Sequence, residues 1–455
     1  MLFEHIVSEG IAHNSYIIGS GGKAAVIDPR RDCDIYLETA SRNELVITHI
    51  FETHRNEDYI VGSLELADRC GAAMYHGEKM GFSYGKPVRE GQTFILGSLE
   101  LTIIETPGHT EESISIVVRD REESDQPYMV FCGDTLFSGE IARTDFFGKS
   151  RNAEMAKKIY QSIVNKLLVL GDGIIVCPAH GAGSVCGEDI ADHPFTTIGY
   201  EKRTNPQLAI DLDTFIFRRV NEAPYVPPYF RQMEKYNKEG APLLHRMPHL
   251  NLLTITEVND YRKSSCQIVD IRSPSSFGAG HIPGSISIWR EGLPAFIGWF
   301  VDYQRPVILV DDFNLDLDPV LRHFLRLGYD SIAGVLSGGF IQWVKAAQEI
   351  GTVHTCSVQQ LQERLLKENP FLLDVRDIKN WRSVGHIRGA HHIYIGELPL
   401  RLDELPKNEP IVVYCDAGYK GSLAASILAM HQYHAVINVL GGMTAWKNAG
   451  FRIEK

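Results

Sequence analysis

Ile268-Val269-Asp270-Ile271-Arg272, followed by Gly280-His281-Ile282-Pro283-Gly284, returns as Leu372-Leu373-Asp374-Val375-Arg376, followed by Gly385-His386-Ile387-Arg388-Gly389. Leu336-Ser337-Gly338-Gly339 with Trp343 likewise returns as Leu440-Gly441-Gly442 with Trp446. Asp270 and Asp374 stand 104 positions apart, His281 and His386 stand 105 apart, and Trp343 and Trp446 stand 103 apart. Three landmarks at one offset make this part of the chain two tandem copies of a domain of roughly 100 residues. Each copy alternates short apolar runs, 307–310 and 411–414, with helical patterns such as 423–430. Uninterrupted apolar strands alternating with helices predict a parallel sheet covered on both faces.

The whole chain has 455 residues, enough for two to four domains at about 150 residues each. With 44% hydrophobic and 22% charged residues it is ordinary in composition, which excludes disordered and fibrous architectures. No apolar run approaches the roughly 18–20 residues that span a bilayer. The start, Met1-Leu2-Phe3-Glu4-His5, has no basic stretch leading into an apolar one, so no secretory signal is expected. A net charge of −12 argues against nonspecific nucleic-acid binding and a polybasic membrane patch. An anionic substrate stays compatible, because a cleft is set by a few local charges. The eight cysteines form no CxxC pair and no cluster, so neither a disulfide scaffold nor a zinc ribbon is present. That usage fits a reducing cytoplasm. Cys132, Cys177, Cys266 and Cys356 lie in or beside strand-like runs and read as small buried hydrophobes.

Upstream of the repeat, 225–250 carries Pro227-Pro228, Pro242 and scattered charges and reads as a connecting segment. The first 240 or so residues hold strand-like runs at 14–18, 24–27, 45–48, 101–104, 113–118, 129–131 and 174–177. Polar loops follow several of them: Thr53-His54-Arg55-Asn56-Glu57-Asp58-Tyr59, Thr106-Pro107-Gly108-His109-Thr110, Gly133-Asp134-Thr135 and Pro178-Ala179-His180-Gly181. Loops at strand ends are where catalytic groups are usually mounted. In order and wording these four resemble the metallo-β-lactamase superfamily. That resemblance implies an αββα sandwich with metals at one sheet edge.

The superfamily's metal motif, His-x-His-x-Asp-His, reads His54-Arg55-Asn56-Glu57-Asp58-Tyr59 here, so two of its three histidines are absent. A two-zinc hydrolase needs about five or six N/O ligands and a bridging water, which this set is hard pressed to supply. His54, His109 and Asp134 survive at metal-compatible positions. Two imidazoles and one carboxylate form the facial triad of mononuclear Fe(II) oxygen chemistry. Within the superfamily the chain resembles the persulfide dioxygenases, whose mononuclear iron ligands match these three residues. The same resemblance carries Arg143, in Arg143-Thr144-Asp145-Phe146, over as a substrate-holding residue. Asp58 and His180 match second-metal ligands of two-metal relatives, and are expected here to orient ligands or metal-bound water. His13, His49 and His76 read as structural or solvated histidines.

In the second copy of the repeat, Cys415-Asp416-Ala417-Gly418-Tyr419-Lys420 lies between strand 411–414 and helix 422–430. A thiol in a loop opening onto a helix N-terminus meets backbone amides and the positive end of the dipole, which predicts a depressed pKa. With the Asp-Val-Arg, Gly-His-Ile and Gly-Gly-Met-Thr-Ala-Trp landmarks, the loop resembles that of rhodanese domains. The resemblance makes Cys415 the carrier of a persulfide sulfur, with Lys420 as the loop cation and Gly418 at the substrate. Lys420 stands where arginine is common and Gly421 where serine is, so bidentate anion recognition is lost. In the first copy Asp311 falls opposite Cys415, in the loop Asp311-Asp312-Phe313-Asn314-Leu315-Asp316. That copy cannot form a persulfide and is expected to be catalytically silent.

The expected fold class is therefore α/β, a metallo-β-lactamase sandwich over 1–240 followed by an inactive rhodanese-like domain over 241–350 and an active one over 351–455. The resemblance implies an enzyme with mononuclear Fe(II) that oxidises a low-molecular-weight thiol persulfide with O₂ to sulfite. Sulfur transfer to sulfite through Cys415 would then give thiosulfate, for sulfide detoxification; the opposite order, with Cys415 feeding persulfide to the iron, uses the same residues. The alternative is a zinc-dependent thioester hydrolase, glyoxalase II-like, with accessory rhodanese domains. The partners expected are a small persulfide, O₂ and sulfite, without nucleic acid or membrane, in a cytoplasmic homo-oligomer.

Overall fold

In the computed structural model, which describes residues 1–455 other than Glu188, Pro194 and Asn369, the chain divides into two units. One comprises Met1–Pro248 with Leu325–Gly328, the other His249–Phe324 with Tyr329–Lys455. In the first unit β1 (Leu2–Ser8), β2 (His13–Ser20), β3 (Lys23–Ile27), β4 (Val46–Phe51), β5 (Ala73–Gly77) and β6 (Lys86–Val88) follow one another across one sheet. A second sheet holds β7 (Thr93–Leu96), β8 (Leu99–Glu105), β9 (Ile114–Asp120), β10 (Met129–Gly133), β11 (Ile175–Pro178) and β12 (Thr196–Thr197), again in chain order.

Strand alternation assigns each apolar side chain to a layer. Tyr16, Ile18, Ala25 and Ile27 of one sheet share a buried cluster with Leu101, Ile103, Ile116 and Phe131 of the other. The intervening Ile17, Ala24 and Val26 face outward onto Tyr36 and Leu66, from the helices Asp34–Arg42 and Ser63–Cys70. On the far side Val117, Val130 and Cys132 pack with Ala156 and Ile159 of helix Lys149–Ser162 and with Phe215 of helix Leu212–Asn221. Helix, sheet, sheet, helix is the αββα sandwich expected. Residues 225–250 depart from the expected connector, because Phe230–Glu239 is a helix that buries Phe230, Met233 and Asn237 in this unit. Pro227-Pro228 precede it, where prolines end the preceding extended chain without interrupting a helix.

The sandwich gathers its loops at one edge. His54 follows β4, His109 follows β8, Asp134 follows β10 and His180 follows β11. Gly133 leaves β10 at φ +52, and a methyl there would overlap Thr53 Oγ1, so only glycine lets this strand end close on the β4 loop.

In the second unit β13 (Leu252–Leu253), β14 (Gln267–Asp270), β15 (Ile286–Ser287), β16 (Val307–Val310) and β17 (Ile332–Leu336) form a parallel sheet in the order β13-β17-β16-β14-β15. Next come β18 (His354–Cys356), β19 (Phe371–Asp374), β20 (His391–His392), β21 (Ile411–Tyr414) and β22 (Val436–Val439), in the equivalent order β18-β22-β21-β19-β20. Asp270 pairs in register with Val310 and Asp374 with Tyr414, so Asp311 and Cys415 emerge from the same point of the two sheets. The repeated Asp-x-Arg is a structural clamp. Arg272 holds Asp270 and donates to the Gly280 carbonyl, and Arg376 holds Asp374 and donates to that of Gly385. The helix Tyr419–Met430 buries every residue from Gly421 to Leu428, as a helix apolar on all faces must. Part of its cover comes from the first copy, where the Ser287 amide donates to Ser426 Oγ at 3.0 Å and the Ser287 hydroxyl meets that of Ser422 at 3.0 Å.

Candidate metal centre and sulfur-transfer loop

The tautomers of the two candidate histidine ligands are fixed by their hydrogen bonds. His109 Nδ1 lies 2.9 Å from the Arg143 carbonyl, which only accepts, so that nitrogen carries a proton and, in the neutral coordinating form of the ring, Nε2 is the lone pair. His54 Nδ1 lies 3.0 Å from Thr53 Oγ1, whose own proton goes to Asp28 Oδ2 at 2.7 Å, so His54 Nε2 is bare as well. Neither Nε2 has a hydrogen-bond partner, though both are buried. Asp134 Oδ2 lies 3.5 Å from His109 Nε2 and 3.8 Å from His54 Nε2. Ligand bonds of about 2.0–2.2 Å place the donors around one ion roughly 3–4 Å apart, so these three fit a single metal.

The surroundings hold that arrangement. His180 Nδ1 donates to both Asp134 oxygens, at 2.8 and 2.9 Å, while its Nε2 lies 3.2 Å from Asp58 Oδ2. Burial opposes a charge on His180, yet the Asp134 and Asp58 carboxylates flanking it raise it well above the usual imidazole range. Burial likewise works against the Asp134 carboxylate, but the charged His180 imidazole that donates to it holds it below the usual carboxylate range. Burial pushes His54 down to about 4, leaving it neutral and ready to coordinate. Asp28, beneath Thr53, is raised by burial to about 7.

Asn56 and Tyr59 do not turn toward a second ion. The Asn56 amide donates to the Tyr59 hydroxyl at 2.8 Å, and the Tyr59 ring packs on His13 with centroids 4.0 Å apart. His13 spends its ring nitrogens on Ser8 Oγ and the Asp28 carbonyl, a structural role. Asn237, from the helix Phe230–Glu239, braces the loop by donating to the carbonyls of Asn56 and Tyr59 and accepting from the Val61 amide.

In the second unit Cys415 is buried, and the Gly418 amide donates to its Sγ at 3.1 Å. Lys420 Nζ lies 2.8 Å from Asp416 Oδ2. Burial pushes the Cys415 thiol above its ordinary value, while Lys420 and the amides of Gly421, Ala417 and Gly418 pull it back. The depressed thiol expected from the loop sequence is therefore corrected: the amides are in place, but desolvation outweighs them. The loop carbonyls are also committed, Cys415 O accepting from the Met443 amide at 2.8 Å and Asp416 O from Thr444 at 2.9 Å. Gly442, at φ +48, makes that approach, since a methyl there would overlap the Cys415 carbonyl oxygen. In the first copy Asp311 Oδ2 accepts from the amides of Phe313 and Asn314 and pairs with Arg290 at 3.0 Å. A carboxylate there takes loop amides that surround the thiol in the second copy.

Residues 9–180 match the profile of the metallo-beta-lactamase superfamily, and 254–346 and 357–449 match that of the rhodanese-like domain. A crystal structure of a metallo-beta-lactamase from Staphylococcus aureus subsp. aureus COL superposes with a TM-score of 0.66 at 30% identity, over 74% of this chain and 99% of that one. The chain belongs to the metallo-β-lactamase superfamily. Two rhodanese domains follow its superfamily module. The structure of ETHE1 from Myxococcus xanthus is 30% identical over 52% of this chain and 98% of its own, with a TM-score of 0.46. An uncharacterized protein of Mycobacterium tuberculosis is 30% identical over 227 residues, which is 44% of this chain and 93% of that protein.

Within this superfamily member the structure brings His54, His109, Asp134, Asp58 and His180 together at one edge. Arg143 reaches the same edge by its backbone, while its guanidinium binds both oxygens of Asp145 at 2.7 and 2.8 Å. With Cys186, Glu140 and Arg219 it lines a cavity of about 120 Å³. Two residues near the metal edge were given no role from the sequence, Cys186 because its place beside His180 left it undecided. Cys186, six positions beyond His180, comes within ligand range of both Asp58–His180 and His109–Asp134, with burial raising its thiol well above the ordinary range. Glu57, inside the altered metal motif, is grouped with His54 and His109. Only its position in the motif marked it, and that position is variable by the motif's own pattern. Among the described residues no helix is long and apolar enough to cross a membrane.

Proposed function

We propose that this chain is a persulfide dioxygenase with sulfurtransferase activity, in which His54, His109 and Asp134 hold one Fe(II). In this reading the oxygenase spans 1–240, a silent rhodanese copy 241–350 and an active one 351–455. The observation that carries this reading is the donor set. Two bare imidazole nitrogens and one carboxylate converge on a single point. At the place of further ligands, Asn56 and Tyr59 bind each other. Two imidazoles and a carboxylate leave open positions suited to Fe(II) oxygen chemistry, and this speaks against the dinuclear thioester hydrolase.

Iron bound there would supply the activation of O₂ and a seat for the persulfide sulfur. The chain's own residues do the rest. Thr53 and the Arg143 carbonyl hold the ligand imidazoles in the coordinating tautomer, and His180 keeps Asp134 oriented and ionised. Overall, RSSH + O₂ + H₂O gives RSH + SO₃²⁻ + 2H⁺, with the sulfane sulfur oxidised and O₂ reduced. Cys415 takes the sulfane sulfur of a second persulfide, releasing RSH, and passes it to sulfite as thiosulfate. The Gly418 amide and Lys420 favour the anionic sulfur during both transfers.

The test is metal content and O₂ uptake with glutathione persulfide, on the full chain and on Cys415→Ser. The expected result is iron with O₂ uptake, and sulfite in place of thiosulfate from Cys415→Ser. Zinc without O₂ uptake would overturn the reading.

A further inference from the structure

The metal edge holds one more electron-rich atom than a two-histidine, one-carboxylate site requires. Glu57 is fully buried. Its Oε1 is held by Arg55 Nη2 at 2.8 Å, and Arg55 is itself steadied by Glu234 at 3.5 Å. Its other oxygen, Oε2, has no hydrogen-bond partner and lies 3.6 Å from His109 Nε2. With His54 the two form a group whose ligand atoms all lie within 4.8 Å of one another. His109 Nε2 faces Glu57 Oε2 on one side and Asp134 Oδ2, at 3.5 Å, on the other. Two buried carboxylates converging on one imidazole nitrogen call for positive charge at that point, which a bound cation supplies. The protein has thus spent a salt bridge on aiming a second carboxylate into its metal site.

We propose that Glu57 is a fourth protein ligand, making the centre a two-histidine, two-carboxylate site. This rests on the mononuclear reading above and deepens it. The position is the variable one in the superfamily motif, and here it carries a carboxylate with an arginine two residues earlier that clamps it. A second hard oxygen donor favours Fe(II) or Mn(II), and leaves two positions of a six-coordinate ion for substrate and O₂. Substituting the loop at Asn56 and Tyr59 while placing Glu57 at the ion exchanges a second metal for a more anionic first one.

Metal-free full-length chain titrated with Fe(II) against a chelating indicator, and separately with Co(II) as a spectroscopic probe, tests this. Glu57→Gln keeps the shape and an oxygen for Arg55 but removes the anionic donor. The expected result is Fe(II) affinity weaker by about tenfold to a hundredfold, with a changed Co(II) ligand-field spectrum. Wild-type affinity and spectrum in Glu57→Gln would overturn the proposal. Should that variant not fold, a crystal structure of the iron-loaded wild-type chain decides. Glu57 Oε2 at about 2.0–2.2 Å from the ion supports the proposal, and a distance beyond about 3 Å overturns it. Stoichiometry separates the two readings. A wild-type chain that binds two ions defeats the mononuclear assignment, whereas one ion with an indifferent Glu57→Gln defeats only the fourth ligand.

Discussion

Replacing Arg376 by methionine removes the clamp of the active rhodanese copy while keeping much of the apolar stem. The guanidinium is wholly buried, and so is the carboxylate it serves. Its Nε lies 3.0 Å from each oxygen of Asp374, and Nη2 reaches Asp374 Oδ2 at 2.6 Å and the Gly385 carbonyl at 2.8 Å. Without it Asp374 keeps the backbone amide of residue 376, at 3.0 Å, and the neighbouring Tyr414 hydroxyl, both uncharged donors. Breaking a buried pair from one side costs about 3–5 kcal/mol, because the remaining charge is stranded. Most of that cost belongs to the charge rather than to the lost attraction. Asp374→Asn combined with Arg376→Met is therefore expected to recover at least about 2 kcal/mol of it. All five tryptophans, at 289, 299, 343, 381 and 446, lie in the second unit. Tryptophan fluorescence during urea unfolding thus reads this unit without the sandwich, which matters in a chain that need not unfold in one step. Because β19 is the register partner of β21, the strand that delivers Cys415, sulfur transfer is expected to fall with stability while metal content stays unchanged. A loss under about 1 kcal/mol, or a double variant no more stable than the single, would refute the reasoning.

Gly442→Ala is expected to cost about 1–3 kcal/mol and to slow sulfur transfer, because it strains a positive φ and pushes against the Cys415 carbonyl. Gly339→Ala, its counterpart against the Asp312 carbonyl, should destabilise without lowering the transfer rate per folded molecule. The buried Cys415 thiol titrates above its ordinary value, so its thiolate fraction, and the rate of sulfur loading, should rise with pH by about tenfold per unit below that pKa. Lys420→Met removes a charge that lowers the thiol pKa and should shift this profile to higher pH; a flat profile in single-turnover loading would contradict the assignment. His180→Leu strips the donor from Asp134 and should weaken metal binding by about tenfold to a hundredfold in chelator competition, and unchanged affinity would exclude an orienting role.

Much of this was legible in the chain because the signals were local. Each of the seven strand-like runs of the first 240 residues falls on a strand, three of them beginning one residue before it, since each is a short apolar stretch long enough to state its period. The strands not read, β1, β5, β6, β7 and β12, are short, at an edge, or interrupted by polar residues, as Lys86-Pro87-Val88 illustrates. There pairing with a neighbour, and not pattern, makes the strand. The helix Phe230–Glu239 was hidden by its polar surface. Only three of its residues are buried, and it is the bond of Asn237 to the metal loop that fixes its place.

By itself the sequence determined the domain repeat, placed Asp311 opposite Cys415 in its two copies, and singled out His54, His109 and Asp134 as the donors proposed here. Each is carried by residue identity at a set spacing, which folding does not alter. Tertiary structure alone decided the quantities that depend on direction and burial. It settled which imidazole nitrogen is bare, that desolvation outweighs the loop amides at Cys415, and that Asn56 and Tyr59 turn to each other. It also brought Glu57 to the metal edge, where Arg55 aims one oxygen and leaves the other free. Distance and dielectric are properties of the packed interior, and no spacing along a chain encodes them.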